Sequence, residues 1–216
     1  AMHNSYSSHH ITPASQSDEG VIGSLLNFPM TPYVLGILVW MGAWWLQMGP
    51  ARPLFNFAPG VELPFFPAGV RTLAVFAFGF PGAIGIFIGS LVTYFLYFPE
   101  MLGVSPIGTI GCAAASAFSS YVAMRLVCVY KQIPPSLESL TLRNVGWIVV
   151  TQSLLSASLH QFLYHSEQLT TDYVAEPLST TLFNWGAMAT GDALGSMAVI
   201  FAVLIGYRIY TSKNSH

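Results

Sequence analysis

Charged residues are scarce in this sequence: seven Lys and Arg with nine Asp and Glu make up 7% of its 216 residues. Soluble domains carry about 25% charged residues, so this chain has too few charges to cover a water-exposed surface. Hydrophobic residues make up 53% of the chain, and the mean hydropathy is +0.58. The composition therefore excludes an ordinary soluble fold and predicts that lipid solvates much of the surface.

Basic stripes, cysteine pairs and catalytic motifs are also missing. A net charge of −2 without a basic stripe argues against a nucleic-acid partner. Cys112 and Cys128 are not spaced as CxxC, so neither a disulfide framework nor a metal site is predicted. The sequence contains no GxSxG, HExxH or phosphate-loop motif. We therefore expect a protein that is not an enzyme, and no particular cofactor is indicated.

The first 30 residues contain no Lys or Arg and are rich in Ser and His. A secretory signal begins with basic residues followed by an apolar run, so this segment does not resemble one. We expect a disordered polar tail over residues 1–30, one transmembrane domain over residues 31–211 and a short tail over residues 212–216.

Apolar runs long enough to cross ~30 Å of hydrocarbon recur along the chain. They predict an all-α integral membrane protein with about six transmembrane helices. The predicted spans are residues 33–49, 64–79, 82–98, 104–129, 145–164 and 182–210. The second and third are separated so briefly, at residues 78–82, that only a tight helical hairpin can join them. The remaining predicted loops cover residues 52–63, 130–143 and 165–180.

The distribution of basic residues predicts the orientation of the bundle. Lys131 and Arg143 lie in the loop at 130–143, whereas the acidic loop at 165–180 has no Lys or Arg. Because Lys and Arg accumulate on the cytoplasmic side, this loop is predicted to be cytoplasmic. Six spans then place both termini in the cytoplasm.

Two ionic residues lie inside predicted spans, where each costs about 2.5–3.5 kcal/mol to insert. Arg71 lies in the second span and Asp192 in the sixth. Both helices start from the outer face in this topology, so the two charges reach similar depths at ~1.5 Å per residue. We predict an Arg71–Asp192 pair or two walls of one outward-facing polar pocket. A buried ion pair that only fixes helix register is the structural alternative.

Four further residues complete the predicted ligand-binding set. Asn184 and Trp185 precede Asp192 in the sixth span, and His160 and Gln152 lie in the fifth. Each could instead form an ordinary hydrogen bond between helices.

Two segments resemble the first family of membrane-associated sensor domains (MASE1). One runs over residues 66–90, with the sequence FPAGVRTLAVFAFG followed by PGAIGIFIGS, and the other is FNWGAMATGDALG at residues 183–195. The resemblance implies a multi-pass sensory module of the bacterial inner membrane, and it carries over to Arg71, Trp185, Gly191, Asp192 and Gly195. Since six residues follow Tyr210, we expect signalling to pass through a separate protein partner.

Three functions remain open at this point. The first is a sensory module that binds an unknown small ligand, anionic or polar because Arg71 is positive, and signals to its partner. The second is a substrate-binding subunit, similar to those of energy-coupling-factor transporters, which also have little mass outside the membrane. The third is a structural subunit of a larger membrane complex.

Overall fold

The computed structural model describes residues 28–50, 52–58, 61–97, 105–134, 136–137, 139–170 and 177–214. Most of them are helical, in α1 (Thr31–Met48), α2 (Arg52–Phe55), α3 (Phe66–Tyr97), α4 (Pro106–Lys131), α5 (Leu142–Thr170) and α6 (Leu178–Asn214). Two short antiparallel strands, β1 (Asn56–Ala58) and β2 (Val61–Glu62), lie between α2 and α3. The predicted tail at 1–30 falls outside the described residues, apart from its last three.

Three of the described helices are long and apolar enough to cross a membrane. They are Phe66–Leu96, Pro106–Lys131 and Leu178–Asn214. The helical class is therefore confirmed, whereas the bundle of six spans is a finer statement than these helices establish. Polar side chains such as Gln152 and His160 lower the hydropathy of α5.

The chain reverses direction inside α3, at Gly79. This glycine has a positive φ of 60° and a ψ of −134°, a conformation that side chains with a Cβ rarely adopt. Phe65, which precedes α3, and Tyr94, near its end, both contact the ring of Trp44, with centroid separations of 5.6 and 6.2 Å. A continuous helix would hold these two residues more than about 40 Å apart. The hairpin predicted at 78–82 is therefore present, with helical arms at 66–78 and 80–97.

The ends of α4 follow from its local sequence. Ser105 caps the start of the helix, because its hydroxyl accepts a hydrogen bond from the backbone N–H of Gly108 at 3.1 Å, and Pro106 fits the first turn. At the other end Gln132 adopts a left-handed conformation with φ 53°, and its N–H bonds back to the last carbonyls.

Small residues allow the helices to approach closely. Gly69 of α3 lies against Val199 and the carbonyl of Gly195 in α6. Gly195 in turn lies against the backbone of Phe65, where an added Cβ would collide. The backbone N–H of Phe65 also donates to the carbonyl of Gly191 at 2.9 Å. These contacts join the start of α3 to the middle of α6, as small-residue interfaces do between helices in lipid.

Three predicted boundaries are wrong in detail. The segment 52–63 was predicted as a loop, but it contains α2, β1 and β2. The loop at 165–180 is shorter, because α5 continues to Thr170 and α6 starts at Leu178. The tail at 212–216 begins as helix, since α6 runs to Asn214. Local hydrogen bonding extends the helices beyond the apolar run on which the predictions were based.

Candidate functional site

The centre of the candidate site is an ion pair between α3 and α6. Arg71 Nη2 donates to Asp192 Oδ2 at 2.5 Å, and Arg71 Nη1 donates to the backbone carbonyl of Ser116 in α4 at 3.2 Å. The two residues are 1% and 3% exposed. The pair that the sequence predicted from the depths of the two charges is therefore present, and it connects three helices.

Two of the three guanidinium nitrogens of Arg71, Nη1 and Nη2, are hydrogen-bonded. Within the described part of the chain, the third nitrogen, the buried Nε, makes no hydrogen bond. The same holds, among those residues, for the buried indole Nε1 of Trp40. Trp40 packs beside Ala74 and Ala117, which follow Arg71 and Ser116 in their helices. A buried donor without an acceptor typically costs about 1–3 kcal/mol, so an acceptor brought to this region would be bound favourably.

A second polar group, centred on Gln152 of α5, lies next to the ion pair. The fully buried Gln152 carboxamide oxygen accepts from Thr72 Oγ1 at 2.8 Å and from Ser120 Oγ at 2.5 Å. Its Nε2 donates to Ser196 Oγ at 2.7 Å. One side chain thus connects α5 to α3, α4 and α6, the same three helices that the ion pair joins.

His160 adds further polar contacts in the later part of α5. Its Nδ1 donates to the carbonyl of Ser156 at 2.8 Å, because a carbonyl oxygen can only accept. Its Nε2 lies 3.2 Å from Ser116 Oγ, and the ring is 5% exposed. Ser116 therefore contacts Arg71 through its carbonyl and His160 through its hydroxyl.

The helical repeat explains why these groups meet. Residues four positions apart lie on one face of a helix. In each of three helices the polar residues follow that spacing: Ser116 and Ser120 in α4; Gln152, Ser156 and His160 in α5; Asp192 and Ser196 in α6. We call these seven residues, with Arg71 and Thr72 of α3, the polar layer.

Sequence reasoning missed five members of the polar layer: Thr72, Ser116, Ser120, Ser156 and Ser196. A signal was available for three of them, since Thr72 is next to Arg71, and Ser156 and Ser196 lie four positions from Gln152 and Asp192. Small hydroxyl residues are common at helix contacts in membranes, which made all five inconspicuous.

Two of the predicted site residues lie apart from the polar layer. Trp185 is only partly buried, and its Nε1 donates to Ser158 Oγ at 3.0 Å. It lines a shallow groove of about 290 Å³ together with Gln161, Thr181 and Leu182. Asn184 is also partly buried. The structure therefore brings together Arg71, Asp192, His160 and Gln152, and it does not bring Trp185 or Asn184 to them.

The ion pair is closed to solvent. Within the described residues, it lines neither the groove at Trp185 nor a larger cavity of about 630 Å³ beside Gly79 and Arg125. The predicted outward-facing pocket at Arg71 and Asp192 is therefore not open in this structure. Among the described residues, no group of three or more His, Cys, Asp or Glu side chains could hold a metal ion.

Comparison with known proteins adds no relative: no family model matches the chain, and neither a curated protein nor a solved structure matches it significantly. The resemblance to membrane-associated sensor domains therefore depends on the two motif segments alone.

Proposed function

We propose that this chain is a membrane-embedded sensory module of a bacterial inner membrane, crossing it six times with both termini in the cytoplasm. Its ligand is a small polar or anionic molecule that reaches the polar layer when the helices separate. Binding would shift the bundle between a closed and an open arrangement, and a partner protein would detect that shift. In this proposal, the arrangement with the Arg71–Asp192 pair buried is the closed one.

One observation carries this proposal: the buried Arg71 guanidinium holds a carboxylate partner and still has a free donor, Nε, among the described residues. An acceptor from a ligand would satisfy Nε and compete with Asp192 for the guanidinium. Because the pair connects α3 to α6, and Ser116 adds α4, exchange of partners at Arg71 would alter the contact of three helices. The motif resemblance, which includes both Arg71 and Asp192, supports the same assignment.

A structural role for the pair is the second candidate, and its burial favours it. Arg71, Asp192, Gln152 and His160 are all at most 5% exposed, as expected for a register lock between helices. In that case the polar layer would hold the bundle together and bind nothing.

Native mass spectrometry of the full-length protein separates the two candidates. We expect a small molecule to be released on denaturation, and to be lost in Arg71→Lys, which keeps the charge but removes the Nε–H at that position. Arg143→Lys is the matched control, because Arg143 is exposed and outside the polar layer. Co-purification of an ATPase with a vitamin-like molecule would instead indicate the transport subunit.

Two results together would contradict the sensory proposal. The parent protein would release no small molecule on denaturation, and the apolar double variant Arg71→Met, Asp192→Leu would fold as well as the parent. That result would assign the pair a structural role. The folded state of each variant is checked by size-exclusion chromatography before its ligand content is measured.

A further inference from the structure

The larger of the two cavities lies at the turn of the α3 hairpin, beyond Arg71 along the first arm of α3. It is formed by the last residues of the first α3 arm, the C-terminal turns of α4 and the loop that follows α4. Its volume of about 630 Å³ falls in the range of small-molecule sites, about 300–1,000 Å³. Apolar side chains supply much of its wall, among them Val75, Ile133 and Leu137.

Arg125 is the one cation among the described residues of the cavity wall. The side chain is exposed, and within the described residues it makes no hydrogen bond or ion pair. No acidic residue belongs to the described part of the cavity wall. Lys131, in the last turn of the same helix, adds positive charge near this end, with its Nζ 4.8 Å from the centroid of the Tyr130 ring. Among the described residues, the site therefore combines an apolar wall with a positive charge that has no acidic partner.

The position of the cavity indicates what it would meet in a membrane. Both the hairpin turn at Gly79 and the end of α4 at Lys131 are points where the chain leaves a helix. Helix ends of a membrane protein lie near the lipid headgroups, and basic pockets between helices at that level bind anionic headgroups. An acyl chain fits the apolar wall, and a phosphate fits the arginine.

We propose that this cavity binds one anionic phospholipid, with the phosphate at Arg125 and acyl chain carbon against Val75, Ile133 and Leu137. The site is separate from the polar layer, so it does not depend on the proposed sensory function. It would anchor the hairpin turn to the end of α4 through a lipid.

The full-length protein in nanodiscs provides the test, with phosphatidylcholine as the base lipid and phosphatidylglycerol as the anionic probe. After gentle extraction, native mass spectrometry counts the phospholipids retained per protein. We expect selective retention of phosphatidylglycerol, reduced about fivefold in Arg125→Gln, since one basic residue contributes about that factor to anionic lipid binding. Arg143→Gln removes an exposed charge outside the cavity and should retain phosphatidylglycerol like the parent.

The two native cysteines give a second, independent readout. Cys128 is 8% exposed and lines the cavity, whereas Cys112 is fully buried in another cluster. Phosphatidylglycerol should slow maleimide labelling of Cys128 relative to phosphatidylcholine, and Cys112 should stay unlabelled in both. Inorganic phosphate alone should give no protection.

The proposal is overturned if Arg125→Gln retains as much phosphatidylglycerol as the parent, or if phosphatidylcholine is retained equally well. Protection of Cys128 by inorganic phosphate would also overturn it, because it would indicate an anion site that does not use an acyl chain.

Discussion

Arg71 and Arg125 are the same residue type in opposite surroundings. Arg71 is 1% exposed and bonds to a carboxylate and a carbonyl on two other helices. Arg125 is exposed, lines an apolar cavity and, among the described residues, has no bonded partner.

The comparison shows how burial decides what an arginine can do. A buried guanidinium must be paired, so its removal leaves another charge without a partner and destabilises the protein. An exposed guanidinium in high dielectric contributes little to stability, so its removal should affect binding alone. The predictions below test this division, beginning with the largest expected effect.

Arg71→Met should destabilise the protein by about 3–5 kcal/mol, because it leaves the Asp192 carboxylate buried without its counter-ion. Denaturant titration in mixed micelles measures the free energy of unfolding. Arg125→Met is the matched control and should change it by no more than about 0.5 kcal/mol. If the two substitutions lowered the free energy of unfolding equally, burial would not distinguish Arg71 from Arg125.

Gly195→Ala should cost about 1–3 kcal/mol, since the new methyl group would collide with the backbone of Phe65 and force α3 away from α6. Gly206→Ala in the same helix meets nothing within 4 Å and should be neutral or stabilising by up to about 1 kcal/mol. The same titration compares the two variants. If Gly195→Ala were neutral as well, the close approach of α6 to the backbone of Phe65 would be wrong.

Gln152→Leu should cost about 1–2 kcal/mol, because it leaves the hydroxyls of Thr72, Ser120 and Ser196 without their shared partner. Gln161→Leu, at the half-exposed groove beside Trp185, should change the free energy of unfolding by less than about 0.5 kcal/mol. A larger effect at Gln161 than at Gln152 would contradict the polar layer as a source of stability.

Gly79→Ala should cost at least about 1 kcal/mol, from backbone conformation alone. The position has a φ of 60°, and an added Cβ meets nothing within 4 Å, so the strain comes from the dihedral angles. Gly146→Ala, also in open space but helical, serves as the control and should not destabilise. A neutral Gly79→Ala would mean that the hairpin does not require this conformation.

The sequence predicted the ion pair because charges are rare in this chain and so each one inside a span is informative. Arg71 and Asp192 could be matched by depth alone, and the hairpin followed from the short gap at 78–82. The six-span count is not established in the same way, because polar residues lower the hydropathy of α5. One of them is Gln152, which bonds to Ser120 of α4 and Ser196 of α6.

The closed state of the site and the cavity at Arg125 could not be predicted from the sequence. Burial of Arg71 depends on three helices meeting, and the direction of each helix face is set by packing. Trp185 lies one or two turns from Asp192 in the sequence, yet its indole faces Ser158 at the surface. The cavity depends on where the loop after α4 folds, which its Pro and Ser residues do not specify.

A double-mutant cycle across Arg71→Met and Asp192→Leu tests the central claim most directly. It measures the free energy of unfolding of the parent, both single variants and the double variant, and gives the coupling between the two side chains. We expect a coupling of at least about 2 kcal/mol, with the double variant more stable than either single one. Additive effects of the two substitutions would show that the residues do not act as a pair, and would contradict the account of the polar layer.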